Sequence, residues 1–316
     1  NWGWDNHQSW IHAGFDNILF TPNGKVHRLL TRLAVENLLH PFQPFMLGQK
    51  NMAPKLAALY DIQLVFYGEN EAEYGNSIDE IESSKRDWKF FTESSEDEIF
   101  LGGASLSQLR DLGLSAKDWN PYMPCNPSIF EGKNIEVHYL GYYEKWHPQG
   151  AYYYAVEHSN FKCSPERTLG TYSKYNSIDD KIDDFHFHTY WIKFGLGRAT
   201  YDAAQEVRNG DLIREEGVAL VQKYDGEFPY RWEEEIFNYL SITEREFPFA
   251  SRVFEQPIFN RKYYDLLCDK FRSPHLWFWD DKKGWKLRHL VENEKQANQQ
   301  ELASNWKGNF DSKIKK

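Results

Sequence analysis

Apolar and polar positions follow two different periods along this chain, and the first quarter interleaves them. Val26, Leu29, Leu30, Leu33 and Leu38 recur at helical spacing, with His27, Arg28, Arg32 and Glu36 between them. Val26 to Leu39 is therefore predicted as an amphipathic helix. His40-Pro-Phe-Gln-Pro44 ends it, and Met46 to Tyr60 reads as a second helix interrupted by Pro54. Gln63 to Tyr67 is short, apolar and rich in β-prone residues, which predicts a buried strand. Before these, Asp5 to Ala13 resembles the end of a helix stopped by Gly14, and Asn17 to Phe20 a short strand. Helix, strand, helix, helix, strand is the alternation of an α/β domain with a parallel sheet. Two strands are too few for a complete doubly wound sheet, so further strands are expected elsewhere. The chain starts at Asn1, with no Met, inside a helical-looking stretch. The expectation is a trimmed or partial sequence.

Further along, Asp79 to Glu98 is charged and aperiodic, which predicts an excursion or lid. Ser105 to Leu112 is a short helix, Ile135 to Tyr143 a strand, and Pro148 to Glu157 a helix with Pro in its first turn. Ser177-Ile-Asp-Asp has the character of a capping box opening a helix over 179–193, with Ser177 as N-cap. Helices are also expected over Ala199 to Asn209, after a cap at Asp211, over Trp232 to Leu240, and after Thr243-Glu-Arg-Glu246. The second half is thus mostly helical. Residues 293–316 form a polar Gln/Asn/Lys-rich tail. The expected division is 1–78, an α/β part; 79–147, an insertion and strand region; 148–292, a helical region; and the tail.

Composition narrows the function. The net charge of -10 argues against a nucleic-acid binder, which needs a basic footprint. Aromatics make up 17% of residues, so ring faces are available for sugars as well as for a core. Cys125, Cys163 and Cys268 are odd in number and far apart, which fits a reducing compartment and excludes a disulfide framework. No apolar run reaches membrane-spanning length and no signal-peptide pattern opens the chain, so a cytoplasmic location is expected.

Three constellations carry candidate chemistry. The first follows the predicted strand: Glu69, Asn70, Glu71, Glu73 and Tyr74 lie between Gly68 and Gly75. Ligands of open α/β sheets sit beyond the carboxyl ends of strands, so this loop is a candidate site; otherwise it is a solvated surface loop. The second is the helix over 179–193. Asp180, Asp184 and His188 would share a face, suited either to a metal or to water. At its end Lys193, Gly195, Gly197 and Arg198 offer exposed amides flanked by cations. That is an anion site, or a glycine helix stop whose basic residues satisfy the last carbonyls. The third is His27, Arg28 and Gln49, with Arg32, Gln43 and Lys50, able to grip a polyhydroxylated or anionic substrate or simply to form polar helix faces. No Gly-x-Gly-x-x-Gly, Walker loop, Gly-x-Ser-x-Gly elbow or glutaminase-type cysteine is present.

The segments GFDNILFTPNGKVHRLLTRLA, HPFQPFMLGQKNMAPKLA, LVFYGENEAEYG, VHYLGYYEKWHPQ, FRSPHLW and the long run from GTYSKYNSIDDKIDDFHFHTYWIKFGLGRATYDAAQ onward resemble the N-acetyl sugar amidotransferases of bacterial surface-sugar synthesis. The resemblance runs in order from about residue 2 to residue 291. It implies a Rossmann-like PP-loop ATP pyrophosphatase domain followed by a mostly α-helical region. The family's N-terminal cysteine cluster and Ser-Gly-Gly-Lys-Asp-Ser phosphate loop are not in this sequence, so the α/β domain is expected to be N-terminally incomplete here.

The implied reaction adenylates an acetamido oxygen with ATP and Mg²⁺, and ammonia then converts the group to acetamidino. Zinc is implied only for the absent cysteine cluster. The implied partners are an N-acetyl sugar acid or its nucleotide-linked form, a glutaminase and an ammonia-channel protein, with no nucleic acid and no membrane. The pathway would be O-antigen or flagellin glycan synthesis, as with pseudaminic acid. Within it, Glu69, Asn70 and Glu73 are the expected catalytic residues. His27, Arg28, Gln49 and Tyr74 would hold substrate, and Lys193, Arg198 and Asp180 the phosphate or anion. The alternatives are a PP-loop tRNA-modifying enzyme and a non-catalytic sugar-binding protein.

Overall fold

The computed structural model describes residues 2–68 and 82–289. Its centre is helix α2, Gly24–Leu38, which follows α1, Trp2–His12. Asn23 caps α2 by accepting from the Lys25 amide at 3.0 Å. One stripe of α2 (Val26, Leu29, Leu30, Leu33) packs with Leu101, Leu109, Trp119, Tyr122 and Ile242. Val35 and Leu39 enter a second cluster with Phe185, Ile192, Phe237, Leu240, Tyr264 and Leu267. One helix therefore divides its apolar surface between two cores. At about 1.5–3 kcal/mol per buried large aliphatic side chain, these contacts dominate its stabilisation.

Helix α3, Gln43–Tyr60, runs through Pro54 without a break. A proline there withholds the amide that would bond the Lys50 carbonyl. The Tyr67 hydroxyl donates to that carbonyl instead, at 2.7 Å. Tyr67 closes strand β1, Leu64–Tyr67, which is one residue shorter than expected and is not buried: Leu64 and Phe66 are half exposed. After β2, Lys85–Arg86, a tight hairpin forms from β3, Phe100–Leu101, and β4, Ala104–Ser105. Gly102 and Gly103 turn it with positive φ, and a Cβ at either would lie within 2.8 Å of α2 atoms. Short helices α4, Leu106–Asp111, and α5, Ala116–Trp119, lead to β5, Glu136–Tyr139.

Among the described residues, the largest sheet is three-stranded in the order β1-β5-β2. β1 and β5 are parallel, with Phe66 opposite His138. β2 is antiparallel to β5, with Lys85 opposite His138. The fold is mixed α/β with small sheets, and the parallel arrangement extends to one strand pair. Asn17 to Phe20 is not a strand but an exposed stretch, with Ile18, Leu19 and Phe20 open to solvent. The expected strand over 135–143 stops at Tyr139, where a 3₁₀ turn, Leu140–Tyr142, takes over.

The helical half contains α6, Pro148–Ser159; α7, Asp183–Phe194; α8, Arg198–Asn209; α9, Arg214–Tyr224; α10, Glu233–Leu240; and α11, Arg261–Phe271. Three expected starts are corrected. Ser177 is not the N-cap of α7: it has φ 55°, and the helix begins at Asp183. The cause is tertiary. Residues 164–176 fold back on themselves, with the Thr168 hydroxyl donating to the Asn176 carbonyl at 2.6 Å and Ser164 N to the Lys174 carbonyl at 2.9 Å. Asp211 does not cap α9 but meets His147, and Glu216 reaches back to the Ile213 amide at 3.0 Å. Thr243 does engage Glu246 at 3.1 Å, yet 243–247 makes only a turn, because Pro248 cannot continue a helix. Helix α11, capped by Asn260, and a hairpin of β6, Trp277–Asp280, with β7, Gly284–Leu287, were not expected. No helix among the described residues is long and apolar enough to cross a membrane.

Candidate functional site

The turn between α7 and α8 exposes amides at the start of a helix, where partial positive charge accumulates. An anion occupies it, and that anion belongs to the chain. Asp225, at the end of α9, accepts from Gly197 N at 3.0 Å and Thr200 N at 3.1 Å, and also from the Thr200 hydroxyl. Gly197 is required by this approach: a Cβ there would sit 2.6 Å from an Asp225 carboxylate oxygen.

The flanking cations are engaged too. Lys193 donates from Nζ to the Leu38 carbonyl at 2.8 Å, satisfying the end of α2, and burial lowers its pKa. Arg198 donates from Nε to Asp202 at 3.1 Å and stacks over Phe187 and Tyr201. Asp202 also accepts from the Thr171 hydroxyl at 2.6 Å and the Asn176 amide at 3.2 Å. Arg198 and Asp202 thereby clamp the 164–176 segment onto α8. A second clamp lies beside it. Arg167 makes a two-pronged pair with Glu227 at 2.7 and 2.6 Å, and Glu227 also accepts from Gly170 N.

Against these clamps lies a group of acids. Asp184 is only 5% exposed, and burial raises its pKa to about 7, with Asp183 and Glu227 adding to the rise and Arg231 and Arg198 opposing it. Asp183 is raised to about 6, again by burial first, against the pull of Arg198. His186 stacks on His40 at 5.1 Å and feels the charges of Arg198 and Lys193. Burial and these neighbouring cations push it down to about 3, so the imidazole is neutral at pH 7, and its Nδ1 is buried without a partner among the described residues. His188 turns into the core and meets the Tyr264 hydroxyl at 2.6 Å, away from Asp180. Asp180 lies before α7, where it accepts from Ile182 N at 2.9 Å. Asp180, Asp184 and His188 therefore do not form one face. Among the described residues no group of three or more His, Cys, Asp or Glu side chains is arranged to hold a metal.

The same 164–180 segment walls a pocket of about 390 Å³ against α1. Trp10, Phe161 and Tyr175 supply ring surface; Asn6, His7, Asn17, Ser177 and Asp179 supply polar atoms. This is a size and mixture suited to a small polar ligand with an apolar face. Ser177 has left-handed backbone, which non-glycine residues seldom adopt outside functional or tightly packed sites. Its hydroxyl faces Asp183 and lowers that carboxyl's pKa, but makes no hydrogen bond of normal geometry.

The remaining expected residues sit apart. His27 stacks on Tyr122, with Nδ1 3.0 Å from its hydroxyl, and burial lowers its pKa. Arg28 is committed to the carboxyl end of α10, donating to the carbonyls of Tyr239, Asn238 and Ser241 and to Glu246. Gln49 is exposed on α3. Glu69, Asn70, Glu73 and Tyr74 lie outside the described residues. Sequence reasoning did not single out Asp225, Asp202, Glu227 or Arg167. Asp225 is 28 residues from the amide it caps, and no local pattern links the two.

Residues 169–291 match the family model described as LPS biosynthesis protein WbpG-like, C-terminal domain. The match supports an LPS-related, WbpG-like family. It starts within the 164–180 segment and takes in the Arg198–Asp202 clamp, Glu227 of the second clamp, Asp225 and the β6–β7 hairpin. No curated protein matches the chain.

Proposed function

We propose that this protein is a cytoplasmic ATP-dependent amidotransferase of lipopolysaccharide synthesis, converting an acetamido group of a surface sugar to acetamidino. The observation that carries the reading is the match of residues 169–291 to a family described by its part in LPS biosynthesis. The ordered resemblance of the remaining segments to N-acetyl sugar amidotransferases adds the reaction class. The pocket between α1 and 164–180 is roomy enough for a monosaccharide, with Trp10, Phe161 and Tyr175 for the ring's apolar face.

An amide oxygen is a poor leaving group, and adenylation turns it into a good one, which ammonia from a glutaminase partner can displace. ATP and Mg²⁺ are assigned to no residue of the α7–α8 corner, because Asp225 fills its amides. In this reading Glu69, Asn70 and Glu73 serve the chemistry beyond the carboxyl end of β1, and Tyr74 the substrate. Lys193, Arg198 and Asp180 act through the fold by setting the α7–α8 corner and the pocket wall. His27, Arg28 and Gln49 lie on α2 and α3 and are assigned no contact with the sugar.

The test supplies the full-length protein with ATP, Mg²⁺, ammonium chloride and a panel of free and nucleotide-linked N-acetylated sugar acids. AMP and pyrophosphate are expected only when a sugar of the panel is present. Absence of sugar-dependent AMP across the panel overturns the reading.

A further inference from the structure

Strand β5 carries Glu136 and His138 on one face, and the 3₁₀ turn after it brings Tyr143 back over them. The Tyr143 hydroxyl lies 2.6 Å from His138 Nδ1, and His138 Nε2 lies 3.2 Å from Glu136. The Ser84 hydroxyl is 2.9 Å from the Tyr143 hydroxyl, and Lys85 pairs with Glu136. These contacts have one consistent polarity. Lys85 and His138 hold Glu136 well below the usual carboxylate range, so it can only accept. Nε2 then carries the imidazole proton, Nδ1 is the acceptor, and Tyr143 donates to it. The Tyr143 oxygen, its proton committed to Nδ1, accepts from Ser84 and has one further lone pair.

Among the described residues of the three strands, the charged and titratable groups on this face are all in the chain of contacts. Lys85 is the cross-strand neighbour of His138, Glu136 is on its own strand, and Tyr143 covers it. From β1 only Leu64 and Phe66 share the face, and Phe66 packs against the rings of His138 and Tyr143. The tyrosine is 55% exposed, whereas the histidine behind it is largely covered. A solvent-reachable hydroxyl backed by a sheltered imidazole and a carboxylate is the arrangement of a base oriented by a third group. It stands at the carboxyl end of the parallel pair β1–β5, where α/β sheets place their ligands.

We propose that Tyr143, His138 and Glu136 form a proton relay that deprotonates an amine nucleophile, with Tyr143 as the catalytic residue and His138 and Glu136 as positioning residues. The proposal rests on the amidotransferase reading for its substrate. Ammonia forms a C–N bond to the activated carbon and becomes a bound ammonium. One of its protons passes to the Tyr143 oxygen while the tyrosine's own proton passes to His138 Nδ1. The C–O bond to the activating group breaks, and its electron pair leaves with the AMP oxygen. The imidazolium, held against Glu136, returns the proton to water by the same path.

The experiment measures sugar-dependent AMP release by full-length protein against pH, at constant free ammonia, for the wild type and the Tyr143→Phe and His138→Gln variants. Tyr143→Phe keeps the ring on Phe66, so folding is retained, as circular dichroism would verify. A general base contributes about 10²–10⁴-fold, so kcat should fall at least a hundredfold with KM for the sugar unchanged. In His138→Gln kcat should likewise fall with KM for the sugar unchanged. Both variants within threefold of wild type, with unaltered profiles, overturn the relay while leaving the function intact. If the wild type itself releases no AMP, the functional reading fails. The relay is then read from nitrogen NMR of His138, where Tyr143→Phe should shift the Nδ1 resonance. An unmoved signal overturns the relay as well.

Discussion

Replacing Gly197 with Ala tests whether Asp225 is the anion of the α7–α8 corner. Gly197 has φ -110° and ψ -167°, extended backbone that alanine adopts freely. On backbone grounds alone the change should be neutral or stabilise by about 0.4–1 kcal/mol, because it reduces the freedom of the unfolded chain. The opposing effect is steric. The new Cβ would lie 2.6 Å from one carboxylate oxygen of Asp225 and 2.9 Å from its carboxyl carbon. Relief moves the carboxylate away from two amides that it now meets at 3.0 and 3.1 Å. Loss of a helix cap costs about 0.5–2 kcal/mol, and forcing extra volume into a packed site about 1–3 kcal/mol. The expected net destabilisation is about 1–4 kcal/mol. The decisive comparison is a double-mutant cycle with Asp225→Ala, followed by urea denaturation. With the carboxylate gone, Gly197→Ala should cost under about 0.5 kcal/mol, a coupling well above the additive range. Equal costs in the two backgrounds, or a neutral Gly197→Ala in the wild type, would refute the assignment.

Asp184 makes a prediction about pH. Its carboxyl is raised in the fold from the usual 3.8 to about 7, so between those values the native state holds a proton that the unfolded chain has lost. Stability should therefore fall as pH rises through that window. At about 1.4 kcal/mol per pH unit, shared with Asp183, Asp184→Asn should stabilise by about 2–4 kcal/mol at pH 8 and little at pH 4. Urea midpoints at the two pH values check this, and an equal effect at both would refute it. Arg32 is wholly buried, donating to Glu36 and to the carbonyls of Leu240, Gln256 and Pro257. Arg32→Met should cost about 3–5 kcal/mol, read as a lowered denaturation midpoint, because it strands those acceptors. Trp10→Ala should weaken binding of the active sugar about tenfold by calorimetry, the order expected for one lost ring face, with little change in stability.

The elements legible in the sequence were those set by local periodicity. Helix α2 follows the spacing of its apolar residues, and α6 starts at Pro148, where a first-turn proline predicts it. The failures occur where distant partners decide. Pro54 argued for an interrupted helix, yet the hydroxyl of Tyr67, thirteen positions on, serves the carbonyl that the proline leaves. Ser177-Ile-Asp-Asp has the composition of a helix start, but the fold of 164–176 delays the helix to Asp183. For α11 the signal was present: Asn260 as cap, then Tyr263, Tyr264, Leu267 and Cys268 at helical spacing.

The corner at Lys193, Gly195, Gly197 and Arg198 shows how far local reasoning reaches into a site. Its residue types say that amides are exposed and that positive charge is near. They do not say which anion comes, because Asp225 and Asp202 are brought there by the packing of α8 against α9 and against the 164–176 segment. The relay on β5 is the reverse case. Glu136, His138 and Tyr143 lie within eight residues, but as one predicted strand over 135–143 Tyr143 would extend away from His138 along the sheet. The early end of β5 at Tyr139 folds the tyrosine back and creates the contact. A residue that stiffened Leu140–Tyr142 into extended strand would separate the tyrosine from the imidazole without altering any of the three side chains. The chemistry proposed for this face thus depends on where a strand stops.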